Sequence, residues 1–556
     1  MSGPAVALEP VSESDARFDR LVERWFRRRL ELSPETATNL GIHDHDAELG
    51  RGSRDALDEE LDLVRSTQRE VDAFADDDLT SERRLDRALL VHDARLRLLE
   101  LERRRTWAGR SGAAETIGGA LFPLFTRDFA PLAERLDSIC GRLEQAPRYL
   151  DEVRERVIEP VQLWIELDLE SIAALPSFLD TIVAAAGAEQ RDDGALRSLE
   201  AAATATKTAL DDHAAWLRSD VLPRATREWQ AGPELFEEIL ALRELEAGGD
   251  EILAVGEQML ADSHAARDAL CAEIDPLLSP AEVADVVKDN HPATFAEALD
   301  AYRTSMDRAR RFVVDHNLAT MPPADRLIVI ETPSYIRHLI PLAAYDPPAR
   351  FDADPIGTYI VTPPATPRMI REHNHAAISN TSVHEAYPGH HLQLSAAISN
   401  PSLVRLLVFA SEFEEGWAFY CERMMKDHGF DDTPEHRYGQ LTDVIWRAAR
   451  IVLDVRLHRG EIRFEDAVER LMAETGFERP ATLAEVKRYT STPGYQLSYL
   501  YGRHMIDRLK ADVEARMGPA FTLKFFHDTL LYAGSVPVSY ARRLFDRRLA
   551  PDRPAQ

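Results

Sequence analysis

The segment Ser382-Val-His-Glu-Ala-Tyr-Pro-Gly-His-His391 holds the densest set of side chains able to do chemistry. His384 and Glu385 open it, and His390 and His391 close it. Neutral imidazole is the commonest zinc ligand, and a glutamate beside the first ligand can serve as base to a water on the metal. The spacing is not HExxH, because Pro388 stands where that motif has its second histidine. On a straight helix His384 and His390 would sit about 240° apart around the axis and about 9 Å apart along it. His384 and His391 would share a face at a separation of about 10.5 Å. Neither pair can hold one ion unless the helix breaks. Pro388-Gly389 supplies the break: proline removes a backbone donor and clashes with the preceding turn, and glycine accepts dihedrals closed to other residues. A kink or bulge there is predicted to swing His390 back toward His384.

The third ligand is expected to be a carboxylate or another histidine. Downstream, Ser411-Glu-Phe-Glu-Glu-Gly-Trp-Ala-Phe-Tyr-Cys-Glu422 offers Glu415, with Glu422 seven residues later on the same helical face. Two histidines, one glutamate and an open fourth position make a hydrolytic zinc site. Glu422 reads as a group that orients a ligand histidine or as a structural charge. Glu412 and Glu414 read as solvated helix charges. Tyr495, Tyr499 and Tyr501 supply hydroxyls for an oxyanion, with His504 and His527 as further donors. Arg447, Arg450, Arg503 and Lys487 read either as binders of a peptide carboxylate or as ion-pair partners. His43-Asp-His-Asp46 reads as a polar turn, and His373 and His375 as ordinary histidines.

These groups must be positioned mainly by helices. Phe18, Val22, Trp25 and Phe26 follow steps of three and four, and Ile252, Val255, Met259, Ala266 and Leu270 lie near one stripe. Ser81–Arg105, Leu132–Leu169 and Ala195–Leu222 have the same character. Between Met321 and Pro367 prolines cluster around two β-branched runs, Arg326–Glu331 and Thr358–Thr362, which are predicted strands. The expected organisation is an N-terminal helical half (1–320), a short β-containing insert (321–367) and a C-terminal helical half carrying the metal site (368–556).

The chain has 556 residues, 45% hydrophobic and 29% charged, enough to bury a large core without disulfides. Its net charge of −29 argues against a nucleic-acid or anionic-membrane partner, both of which require a basic face. Cys140, Cys271 and Cys421 are scattered and form no CxxC pair, which fits a reducing compartment. Met1–Ser14 is acidic and lacks an apolar core, so no signal peptide is expected. No run of about 18 uninterrupted apolar residues occurs, so no membrane span is expected. The expected location is cytoplasmic. There is no GxSxG elbow, P-loop or strand-borne GxGxxG.

His384-Glu-Ala-Tyr-Pro-Gly-His390, Glu415-Gly-Trp-Ala418 and Pro493-Gly-Tyr-Gln-Leu-Ser-Tyr499 resemble the motifs HExxPGH, EGWAxYxE and Pro-Gly-x-x-x-Ser-Tyr of the domain of unknown function 885 family. Leu32–Gly41 and Phe526-His-Asp528 extend the resemblance over nearly the whole chain. In that family the residue after PGH varies, which favours His390 over His391, and Tyr499 matches the Ser-Tyr position. Glu415–Glu422 is also similar to the NEGFAxYxE segment of aminopeptidase-N-like metallopeptidases, which implies that Glu415 is the third ligand. The stretched His-Glu motif is similar to that of the dipeptidyl peptidase III family, where a helix bulge absorbs an extra residue. The resemblance implies a large, mainly α metallopeptidase-like body with a small β-sheet next to the active-site helix. His384, His390 and Glu415 would hold Zn²⁺, Glu385 would be the general base, and Tyr499 or His527 would assist. Short peptides are the expected substrates, by analogy with helical peptidases whose deep clefts admit only a thin chain. The alternatives are a zinc amidohydrolase acting on another amide and a catalytically silent binding protein of the same fold.

Overall fold

The computed structural model describes residues 12–549 apart from 190–191, 333–336, 338–339, 341 and 409. The tail Ala550–Gln556, expected to fray, and residues 1–11 of the acidic start lie outside the described residues. The fold is mainly α with one small sheet. The chain forms two compact units, Met1–Thr226 with Pro401–Val408 and Arg227–Asn400 with Phe409–Gln556.

In the first unit, α1 (Glu13–Leu32) buries Phe18, Val22, Trp25 and Phe26, the stripe its spacing predicts. α2 (Ser81–Leu98) carries Glu82 and Asp86, which both bind Arg405 at 2.7 Å. That buried ion cluster ties the 401–408 segment to this unit. α3 (Ala113–Thr126), α4 (Leu132–Arg154), α5 (Gln162–Ala188) and α6 (Asp193–Trp216) pack against one another. Leu132–Leu169 is therefore two helices rather than one. Pro160, which has no N–H to give, precedes Val161, and Val161 bridges Thr226 instead of continuing a helix. α5 is long and apolar enough to cross a membrane by length and composition alone. Here it buries Ile165, Ile172, Leu175, Phe178, Leu179 and Ile182 along one face, and its Asp168 binds Arg110 at 2.7 Å.

The second unit carries the chemistry. α7 (Gly249–Ile274) runs along a later helix, α12 (Pro434–His458), so residues 227–320 belong with the C-terminal helices and the unit boundary falls at 226 rather than 320. The buried stripe of α7 is Ile252, Gly256, Leu260, Ser263 and Cys271. Val255 and Met259 sit at its margin and Ala266 is exposed. Small residues carry that contact, so apolarity alone misplaces it. α8 (Phe295–Asp315) leads into the sheet. Both predicted strands form: β1 (Leu327–Glu331) pairs in parallel with β3 (Gly357–Val361), Leu327 opposite Gly357. A third strand, β2 (Ala343–Asp346), pairs antiparallel with β3, giving the order β1-β3-β2. Its Ala-Ala-Tyr-Asp sequence has little intrinsic β preference.

After the sheet come α9 (His375–Thr381), α10 (His390–Ala397), α11 (Ser411–Asp427), α12, α13 (Leu500–Met517) and α14 (Leu523–Leu531). α11 and α13 cross with glycine on both sides. A Cβ on Gly416 would meet the Gly502 carbonyl carbon at 2.5 Å, and one on Gly502 would overlap the Glu412 carbonyl oxygen. Gly502→Ala is therefore expected to lower stability by about 1–3 kcal/mol despite alanine's better helix propensity. Chemical denaturation of the two proteins measures the difference, and an unchanged midpoint would contradict the close crossing.

Candidate metal centre

The helical path of α9 widens into a single π-helical turn, Ser382–Ala386, which carries His384 and Glu385. Tyr387 then turns extended, and the Tyr387–Pro388 peptide is cis. The Gly389 N–H donates to the Val383 carbonyl at 3.0 Å. A Cβ at Gly389 would overlap the carbonyl oxygens of Val383 and His384, so this path admits only glycine. α10 restarts at His390. The two rings end 4.8 Å apart between centroids and nearly perpendicular. The break is locked from outside, because the Trp417 indole N–H on α11 donates to the Pro388 carbonyl at 2.8 Å.

The same helix delivers Glu415. Its Oε2 lies 3.8 Å from His384 Nε2 and 3.6 Å from His390 Nε2. One ligand atom from each of the three residues lies within 4.8 Å of the others. Donors about 2 Å from a tetrahedral ion stand about 3.3 Å apart, so small side-chain shifts suffice to close the set. Two turns along α11, Glu422 Oε1 meets His384 Nδ1 at 2.7 Å. That contact turns Nε2 toward Glu415, as an outer carboxylate does for a ligand histidine.

The electrostatics fit a cation. Burial pushes the His390 imidazolium toward neutrality, but its hydrogen bond to Glu415 and the charges of Glu385, Glu415 and Glu414 raise it to about 9. Burial would raise Glu415, yet His390, His384 and Arg447 bring it down to about 2. Two imidazoles among three carboxylates form a negative pocket that a divalent ion would neutralise.

The three side chains open onto a cavity of about 440 Å³, also lined by Glu385, Glu414, Tyr345, Tyr499 and Arg447. Burial and the Glu415 charge hold the Tyr499 hydroxyl protonated, so it can donate. Its ring packs edge-on against Phe419, which in turn packs against His384. The first unit's larger cavity, about 720 Å³, is lined by paired charges such as Arg97 and Glu60. The one group of candidate metal ligands among the described residues is the triad above.

Other expected groups fall elsewhere. His527 is fully buried: its Nδ1 donates to the Leu318 carbonyl at 2.8 Å and its Nε2 accepts from Tyr420 at 2.9 Å. Burial drives it down to about 4, and it does not line the cavity, so the structure gives it a packing role. Tyr501 donates to the Leu245 carbonyl, and neither it nor His504, Arg503 or Lys487 lines the cavity. His391 points away from the triad, its Nε2 toward the Asp325 carbonyl and its Nδ1 toward Tyr345. His43 and Asp46 pair within a short 3₁₀ turn. The reading of Glu412 and Glu414 as solvated charges is overturned. Glu412 is buried against Arg243 at 3.0 Å. Glu414 lines the cavity, and burial raises it to about 7 against its hydrogen bond to Ser535. Only the enclosure of α11 on every side distinguishes them from surface glutamates, and nothing in the local sequence announces it.

The family model described as bacterial protein of unknown function (DUF885) matches residues 34–544. The chain belongs to the DUF885 family. No curated protein matches it. Two solved structures share the DUF885 chain's fold. A "putative lipoprotein of unknown function" from Shewanella oneidensis is 24% identical with a TM-score of 0.78, over 95% of this chain and 99% of that one. A "putative lipoprotein" from Colwellia psychrerythraea is 17% identical with a TM-score of 0.82, over 97% and 100%.

The DUF885 site makes a direct test possible. His384→Ala, His390→Ala and Glu415→Ala are expected to lose stoichiometric zinc, while His391→Gln retains it. Glu422→Gln is expected to weaken zinc about 10–100-fold without unfolding the chain. Competition titration with a chromophoric chelator, beside circular dichroism, reads both, and zinc binding unaffected by Glu415→Ala would remove that residue from the site.

Proposed function

We propose that this DUF885 protein is a zinc-dependent peptide hydrolase. The observation that carries the reading is the convergence of His384, His390 and Glu415 on one point of a cavity that Glu385 also lines. The motif similarity to aminopeptidase-N-like and dipeptidyl peptidase III metallopeptidases points the same way. Zn²⁺ held there would act as a Lewis acid on a carbonyl and make a water more acidic. Glu385, on the same turn as His384, takes a proton from the attacking water and returns it to the departing amine. Tyr499, kept protonated, donates a hydrogen bond to the oxygen on which negative charge develops. Glu422 holds His384 in orientation. A cavity of about 440 Å³ suits a short peptide.

The two solved structures named above carry the description "putative lipoprotein", a reading that competes with the cytoplasmic location expected from the sequence. Cell fractionation decides between cytoplasm and envelope.

Glu385→Gln is expected to keep full zinc content and lose about 10²–10⁴-fold in turnover of a quenched-peptide library. Tyr499→Phe is expected to lose about 10²–10³-fold, mainly in kcat. Full activity in Glu385→Gln would refute the base assignment. Stoichiometric zinc without any peptide turnover would move the reading to a different amide.

A further inference from the structure

The cavity has a second polar wall that bond cleavage does not use. Trp446, Arg447 and Arg450 lie on one face of α12 and line it. The Trp446 indole is flanked by both guanidiniums, Arg447 at 4.1 Å and Arg450 at 3.9 Å from the ring centre. Arg450 is committed: its Nε donates to the Tyr489 hydroxyl and its Nη2 to Glu485, each at 2.9 Å. Arg447 is not. Its Nη1 donates to Asp443 at 2.8 Å, while its Nε is buried without an acceptor. Among the described residues nothing accepts from its Nη2. Nη2 is the guanidinium nitrogen left to take a carboxylate oxygen from the cavity. The Trp446 indole N–H beside it is also buried without an acceptor.

We propose that Arg447 binds the C-terminal carboxylate of the substrate, so that the protein is an exopeptidase acting at the C-terminus. This rests on the peptide-hydrolase reading above. Phe419 touches both ends, with the Arg447 guanidinium 5.0 Å from its ring and the His384 ring 5.4 Å from it, which keeps Arg447 close to the candidate metal ligands. Charge gives the direction. Glu385, Glu414 and Glu415 repel a substrate carboxylate, and Arg447 and Arg450 are the arginines among the residues lining the cavity that can attract it.

Mixed-sequence peptides of two to six residues, each made as free acid and as C-terminal amide, are titrated calorimetrically into zinc-loaded Glu385→Gln protein. Free acids are expected to bind at least about tenfold more tightly than amides. Arg447→Gln in that background is expected to abolish the preference with zinc content unchanged. Arg447→Lys keeps the charge without the fork and is expected to recover only part of it. Equal binding of acid and amide, binding of neither, or a preference that survives Arg447→Gln overturns the proposal. Product analysis on wild-type holoprotein separates the two readings. Acid-preferring binding without cleavage keeps the subsite and sinks the hydrolase. Cleavage indifferent to amidation keeps the hydrolase and sinks the subsite.

Discussion

Two imidazoles six residues apart can meet at one point only because the backbone between them leaves the helix and is pinned where it does so. The pinning is mutual. Gly389 bonds back to Val383, and the Trp417 indole on α11 holds the Pro388 carbonyl. That helix also presents Glu415 to both histidines and Glu422 to the far side of His384. One helix thus fixes the bend, supplies the third candidate ligand and sets the ring orientation of the first. Moving α11 would disturb all three at once.

A line of hydrogen-bonded polar and charged groups runs beside the site, buried at Glu422 and half-exposed at Asp443. His384 contacts Glu422, Asn380 donates to both Glu422 at 3.0 Å and Asp443 at 3.1 Å, and Asp443 accepts from Arg447. Burial raises the Asp443 carboxyl, with Arg447 opposing. Each member satisfies a neighbour that would be costly to leave alone in a low-dielectric interior. The line joins the candidate metal ligands to the cationic wall, so the two ends of the cavity share one hydrogen-bonded support.

The grouping of the candidate ligands was more legible in the sequence than the backbone path that brings them together. His384, Glu385, His390 and Glu415 stood out because few roles other than metal chemistry call for those residue types together, and Pro388-Gly389 announced a break. The form of the break, a π turn followed by one extended residue and a cis peptide, has no local signature. His527 lay in a matching motif, yet in space it faces Tyr420 and Leu318, because a motif records kinship and not proximity. Glu414 was missed for the opposite reason: a glutamate on an acidic helix looks solvated until the helix is seen to be enclosed. The strands β1 and β3 were visible as β-branched runs. β2 was not, since pairing with β3 rather than composition makes Ala343–Asp346 a strand.

The seam between Gly416 and Gly502 carries a further consequence. Two helices touching backbone to backbone have no intervening layer of side chains to slide over, so they translate together or not at all. Glu415 precedes one glycine directly, and Tyr499 stands three residues before the other. That half of the cavity is a welded jaw, and accommodation of bulkier or slimmer guests falls to the aromatic and guanidinium side chains facing it.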